Sequence, residues 1–373
     1  MDAGGLGTAL RLAREAARIS LAGMAKRAGY SKSHLGNVEN GKRAATPDVV
    51  LAYERELGHS VQRRGVISGL AAGFVAPIVV SELIHTGFNA ALGRHPSVAE
   101  WEERVAGYGH DYMSAGAGEI RDRLAGDLVV MQQNLESPRM WALAARALTM
   151  LGKVSSKSSE AISWYRLAGT VADRSQDERT RVWVRGRGAL ALAYEGAQLN
   201  VAEELADHAL ALSDKPTLGR LNALLGRAHA FGLRGRRREA FRVFSEARRV
   251  FDVVDANASN GSDGSDGSDG SNGSNEQISD FAIPPWRMGV ISSLLLARLG
   301  EERLAVAAQD DARRTLPKSL PRFATHLELH QALMLVRSGD RETGVTVARA
   351  AMAKLPRAKY SQSLRLMLAE IER

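Results

Sequence analysis

Small residues seven positions apart recur five times from Ala161 onward: Ala161/Ala168, Ala202/Ala209, Ala240/Ala247, Ala305/Ala312 and Gly344/Ala351. Successive pairs start 41, 38, 65 and 39 residues apart. The long interval contains Asn257 to Glu276, NASNGSDGSDGSDGSNGSNE, which has no core-forming content. Glycines keep the same register. Gly196, Gly235, Gly300 and Gly339 each fall five or six residues before a small pair. A glycine reaches the left-handed angles that stop a helix at little cost. Two small residues two turns apart let a following helix pack closely on its neighbours. Each unit therefore reads as helix, glycine turn, helix, and the chain as all-α.

The pattern resembles tetratricopeptide repeats, in which small residues seven apart mark the second helix and a glycine ends the first. The period here is longer than that family's, and its first-helix tryptophan is not in register. The resemblance implies an α-solenoid of tetratricopeptide-like helical hairpins over residues 96–373. It is entered by the amphipathic stretches Ser97 to Tyr112 and Gly118 to Leu135, and closed by a cap helix over Tyr360 to Arg373.

The second organising stretch is Ser20 to Gly41, SLAGMAKRAGYSKSHLGNVENG. Ser20 can cap a first short helix with Leu21, Met24, Ala25 and Ala28 on its apolar stripe. Gly29 stops it. Ser31 caps a second helix that turns Leu35 and Val38 inward and leaves Lys32, Ser33, His34 and Asn37 outward. An opening helix (Thr8 to Arg18) precedes the pair. A closing one begins at Thr46-Pro47, proline at a first helical position being a start signal.

These residues resemble the Xre/Cro-like repressors, whose serine-capped recognition helix ends in an E-N-G turn, here Glu39-Asn40-Gly41. The resemblance covers roughly residues 7–58 and implies a helix-turn-helix that places its second helix in the DNA major groove. Lys32, Ser33, His34 and Asn37, with the cap Ser31, are then the base-reading candidates. Lys26, Lys42 and Arg43 are the phosphate candidates. Leu21 stands where the family commonly has a phosphate-contacting glutamine.

The domains expected are thus 1–58, an apolar connector over 59–95, and 96–373 interrupted by the insert 257–276. A net charge of +8 favours a polyanionic partner. Cysteine is absent, so neither disulfide nor thiolate metal site is possible. No signal sequence precedes the helix-turn-helix, and a cytoplasmic location is expected. Residues 61–80, VQRRGVISGLAAGFVAPIVV, pair two arginines with an apolar run. That run is short for a bilayer span and contains Gly69, Gly73 and Pro77, so a buried connecting helix is expected in place of a membrane tether or export signal.

Several motifs imitate enzyme chemistry. Gly186-Arg-Gly188 followed by Ala191 formally matches a dinucleotide fingerprint, yet it falls in the first helix of a repeat with no parallel strand after it. His326 and His330, four apart, lack the glutamate of H-E-x-x-H and read as a polar helix face. Asp263, Asp266 and Asp269 have no bidentate glutamate where a calcium loop needs one and read as linker. No catalytic residue, metal or cofactor is expected.

Xre-type readers fused to tetratricopeptide solenoids resemble the peptide-responsive quorum-sensing regulators of Gram-positive bacteria. That resemblance implies a homodimer on a double-stranded operator, and a signalling peptide or other small ligand in the inner groove. Counting back from each small pair puts Val184, Asn222, Arg287 and His326 on the inner face, then Ala191, His229, Leu294 and Leu333, with Arg187 and Tyr194 beside them. Arg187, Tyr194, Asn222, His229, Arg287 and His326 are the ligand candidates: arginine can clamp a carboxylate and asparagine can pair with a peptide backbone. A repeat domain serving only as an interaction or dimerisation scaffold is the alternative, and a membrane-tethered adaptor a second one.

Overall fold

The computed structural model describes residues 19–43, 96–115, 117–259 and 278–373, together with Gly7, Leu10, Arg11, Arg14, Glu15, Thr46, Val49, Ala52, Tyr53 and Glu56. The connector 59–95 and most of the insert lie outside the described residues. The chain divides into two compact units, Met1–Val80 and Ser81–Arg373. The described residues form α-helices and short connections, with no strand among them.

In the first unit α1 is Leu21–Ala28 and α2 is Lys32–Glu39. The caps read from sequence are made. Ser20 Oγ accepts from the Gly23 amide at 3.0 Å and Ser31 Oγ from the His34 amide at 3.1 Å. Gly29 ends α1 at φ 73°, a left-handed angle that a side chain would strain. Met24, Ala25, Ala28, Leu35 and Val38 are buried with Leu10, Val49, Ala52 and Tyr53. The described residues of the opening and closing segments, Leu10 to Glu15 and Val49 to Glu56, are helical. Gly7 is buried and helical; a Cβ there would stand 1.8 Å from the Val38 carbonyl oxygen, so this backbone approach requires glycine.

The second unit begins with α3 (Val98–Ser114) and α4 (Ala117–Met131). Five hairpins follow: α5 (Pro138–Val154) with α6 (Ser158–Ser175), α7 (Glu178–Glu195) with α8 (Leu199–Leu212), and α9 (Leu218–Leu233) with α10 (Arg237–Ser259). Then come α11 (Pro285–Arg298) with α12 (Glu302–Thr315), α13 (Pro321–Arg337) with α14 (Arg341–Ala353), and the terminal α15 (Gln362–Glu372). Every member of the five small pairs is buried in the second helix of its hairpin. Gly196, Gly235, Gly300 and Gly339 all take positive φ between the two helices. Helix α10 carries on to Ser259, so the insert starts later than the expected Asn257.

One crossing is built on glycine. Helices α7 and α9 touch backbone to backbone: a Cβ on Gly186 would stand 2.2 Å from the Gly219 carbonyl oxygen, and one on Gly219 2.6 Å from the Trp183 amide. The glycines of the false dinucleotide fingerprint are thus helix-packing residues. Helix α15 closes the inner side by packing on α13, α14 and α7.

Candidate functional site

The outward face of α2 carries Lys32, Ser33 and Asn37, all exposed, beneath the exposed cap Ser31. His34 is half-buried, stacked on Tyr30 at 5.3 Å between ring centroids, and its Nδ1 accepts from Arg43 Nη1 at 3.2 Å. The loop that follows is folded back on the helix end, since the Asn37 carbonyl accepts from the amides of Lys42 (2.8 Å) and Arg43 (3.1 Å). That bond brings Lys42 and Arg43, both exposed, beside the carboxy end of α2, while Lys26 and Arg27 are exposed at the end of α1. Leu21 does not reach outward. It is half-buried, 3.4 Å from where a Cβ on Gly36 would sit, and so packs the two helices together.

Electrostatically this face has one sign. Between Ile19 and Arg43 the only acid is Glu39, and it is buried. Arg14 Nε and Nη2 donate to its two oxygens at 2.7 and 2.8 Å, and Tyr53 Oη donates to Oε1 at 2.7 Å. Burial would raise the Glu39 carboxyl, but the bonds from Arg14 and Tyr53 outweigh it and hold it below the ordinary value. The exposed cations Lys26, Arg27, Lys32, Lys42 and Arg43 therefore face solvent with no acid of this stretch opposing them.

In the second unit a cavity of about 80 Å³ opens on the inner side of the hairpins. Arg187, Tyr194, Arg287 and His326 line it, as does Ala191. Asn222 and His229 do not. Both are buried on α9, covered because the glycine crossing draws that helix against α7 and the next hairpin covers it from the other side. Asn222 Nδ2 donates to the Leu218 carbonyl of its own helix, and His229 Nε2 meets the Ile291 carbonyl at 3.2 Å. Val184, Leu294 and Leu333 are likewise core residues.

The cavity also draws in residues that the register of the repeats does not point to: Tyr112 of α3, Lys153 of α5, Tyr165 of α6, Glu195 of α7 and Arg322 of α13. Its floor is held by Asp280, just before α11, whose side chain is wholly buried. Arg187 Nη2 donates to its two oxygens at 2.9 and 3.2 Å, Arg287 Nη2 to Oδ1 at 2.6 Å, and Lys153 Nζ to the same oxygen. Arg287 Nη1 also donates to the carbonyls of Ser279, Asp280 and Ala282. The Asp280 amide donates to the Gly109 carbonyl at 2.9 Å. The two arginines expected to clamp a ligand carboxylate thus already clamp one of the chain's own. Burial would raise the Asp280 carboxyl, but Arg187, Lys153 and Arg287 together hold it far below the carboxylate range.

His326 and His330 do not form a solvated polar face. Both are buried, and Tyr194 Oη lies 3.2 Å from His326 Nδ1 and 3.2 Å from His330 Nε2, while Ser293 Oγ lies 2.9 Å from His330 Nδ1. Burial, with Arg322 nearby, lowers His326 to about 3, so the imidazole is neutral. Among the described residues no group of three or more acids and histidines could hold a metal ion.

Residues 6–64 match a family model described as a helix-turn-helix domain. The amino-terminal unit thus contains a helix-turn-helix domain of the DNA-binding kind. No curated protein and no solved structure matches the chain. Among the described residues no helix is long and apolar enough to cross a membrane.

Proposed function

We propose that this protein is a sequence-specific DNA-binding transcriptional regulator whose helical-repeat domain dimerises and senses a ligand. The observation that carries the DNA reading is the single-sign face of α1 and α2: five exposed cations, with the one acid of the stretch buried and neutralised by Arg14. Lys26, Lys42 and Arg43 then hold phosphates, releasing counterions and fixing the register. Lys32, Ser33 and Asn37 meet base edges: asparagine can pair with adenine by two hydrogen bonds, and lysine with guanine acceptors. A domain this small covers few base pairs, so two copies reading half-sites about 10 base pairs apart supply specificity.

Sensing is favoured over a pure scaffold by the residues that line the cavity, among which polar and charged side chains outnumber apolar ones. Its volume sets the scale of the ligand. At about 80 Å³ it is below the roughly 300–1,000 Å³ of sites that enclose drug-sized molecules. An extended peptide would enter by one end only. Arg187, Tyr194, Arg287 and His326 are proposed as its walls; Asn222 and His229 would act only through packing.

The test is capture of genomic fragments by the purified full-length protein, followed by titration of captured and random duplexes at several salt concentrations. Recovery of a common motif with two half-sites supports the reading. Equal affinity for captured and random DNA counts against it.

A further inference from the structure

The cavity's charges do not balance. Four cations line it, and three of them, Lys153, Arg187 and Arg287, share the single carboxylate of Asp280. The fourth, Arg322, is buried at 4% exposure and has no carboxylate partner among the described residues. Its guanidinium lies over the Tyr112 ring at 4.7 Å and near the Phe323 ring at 5.4 Å, and Nη2 donates to the Tyr112 carbonyl. Lys153 Nζ stands 3.9 Å from the centroid of the same Tyr112 ring, so one aromatic ring has two cations against it. A guanidinium has five N–H donors, and a buried one without a counter-charge is costly to hold. In the same cavity burial raises the Glu195 carboxyl to about 7, against the pull of the Lys153 charge.

We propose that this cavity is a carboxylate-binding site, with Arg322 as the fork, Lys153 as the second cation, and a small organic acid or the free carboxy end of a short peptide as the ligand. The assignment rests on the sensing reading above and names its chemistry. The planar guanidinium matches the two oxygens of a carboxylate. A volume of about 80 Å³ is about three times a water's share of the liquid, enough for a carboxylate and the carbon behind it. A monoanion suits the site better than phosphate, because a dianion would meet more repulsion from Glu195.

The site is tested by calorimetry and thermal shift on the full-length protein at pH 8 with five probes. These are acetate, N-acetylglycine, trialanine with a free carboxy-terminus, its carboxy-terminal amide, and inorganic phosphate. The free acids are expected to bind saturably and the amide not to bind. Acetate as tight as trialanine supports a small-acid source, and tighter trialanine a peptide end. Arg322→Gln is expected to weaken the best acid by about tenfold or more, a charge-assisted pair being lost. Should that variant not fold, Glu195→Gln serves in its place: removing a like charge is expected to tighten binding several-fold. Phosphate binding tighter than every acid, amide binding equal to acid, or affinities unchanged by whichever of the two variants folds would each overturn the site. DNA titration of the same preparations keeps the two readings apart. Lost acid binding with intact DNA binding sinks only the site, whereas acid binding that leaves DNA affinity unchanged keeps the site and contradicts sensing.

Discussion

Arg14 and Glu39 form a buried two-pronged ion pair between the opening helical segment and the last residue of α2, with Tyr53 donating to the same carboxylate. The pair does two things at once. It ties three helical segments together, and it removes the only acid from the exposed face of the stretch 19–43 that is proposed to meet DNA. Glu39→Ala would leave the buried Arg14 with only the half-exposed Glu15, 3.5 Å away, as counter-charge, and losing the main partner of such a pair costs up to about 3–5 kcal/mol. Hydrogen exchange of the α1 and α2 amides in the full-length protein should rise sharply in this variant and stay unchanged in the repeat domain.

The same logic applies to Asp280. Asp280→Asn keeps the shape and removes the charge that three buried cations share. A loss of about 3–5 kcal/mol is expected from urea denaturation of the second unit. A change below about 1 kcal/mol would show that Lys153 loses its proton and relieves the site; burial, then Arg187, already lower it far below an ordinary lysine.

Gly219→Ala tests the crossing of α7 and α9. The added methyl would meet backbone atoms of Val182 and Trp183, which cannot swing aside. Overpacking of this kind costs about 1–3 kcal/mol. Gly107→Ala, with nothing within 4 Å, is the matched control and should be neutral or slightly stabilising, because alanine favours the helix.

Acid should destabilise the repeat domain early. His229 and His326 are each lowered to about 3, by burial first and then by Arg298 and Arg322 respectively, and burial also lowers His330 well below its ordinary value. The unfolded chain binds these protons near pH 6.5 and the folded chain does not. The stability they contribute is therefore fully present above about pH 6.5 and is lost as pH falls toward 3. Each such group sets a slope of about 1.4 kcal/mol per pH unit in that window. Denaturation midpoints for wild type and His326→Gln between pH 7 and pH 5 should differ in slope by about one proton.

Much of the fold was legible because it rests on local rules. The serine caps, the left-handed glycines and the small pairs each act within two turns of chain, and all fall where the sequence places them. The cavity was less legible. Counting along the repeat finds Arg187, Arg287 and His326 on its wall, but it misplaces Asn222 and His229. The approach of α9 is decided by Gly186 meeting Gly219, a contact between hairpins that periodicity does not encode. Asp280 sits at the end of a low-complexity insert, and only the folded chain brings it to cations more than ninety residues earlier. Arg322 and Lys153 enter from helices far apart in sequence, and no spacing joins them. His326 and His330 share a helix face in either reading; what covers that face is Tyr194, reaching from another hairpin.

The central claim is that α2 reads bases while its neighbours hold phosphate. It is tested most directly by fluorescence anisotropy of full-length wild type, Lys32→Ala, Asn37→Ala and Arg43→Ala on one captured fragment and one random duplex. Lys32→Ala and Asn37→Ala should each lose about 1–3 kcal/mol on the captured fragment, with less discrimination against random DNA. Arg43→Ala should weaken both duplexes alike and reduce the salt slope by about one contact. Unchanged affinity of Lys32→Ala and Asn37→Ala for both duplexes would contradict the assignment of α2 as the recognition helix.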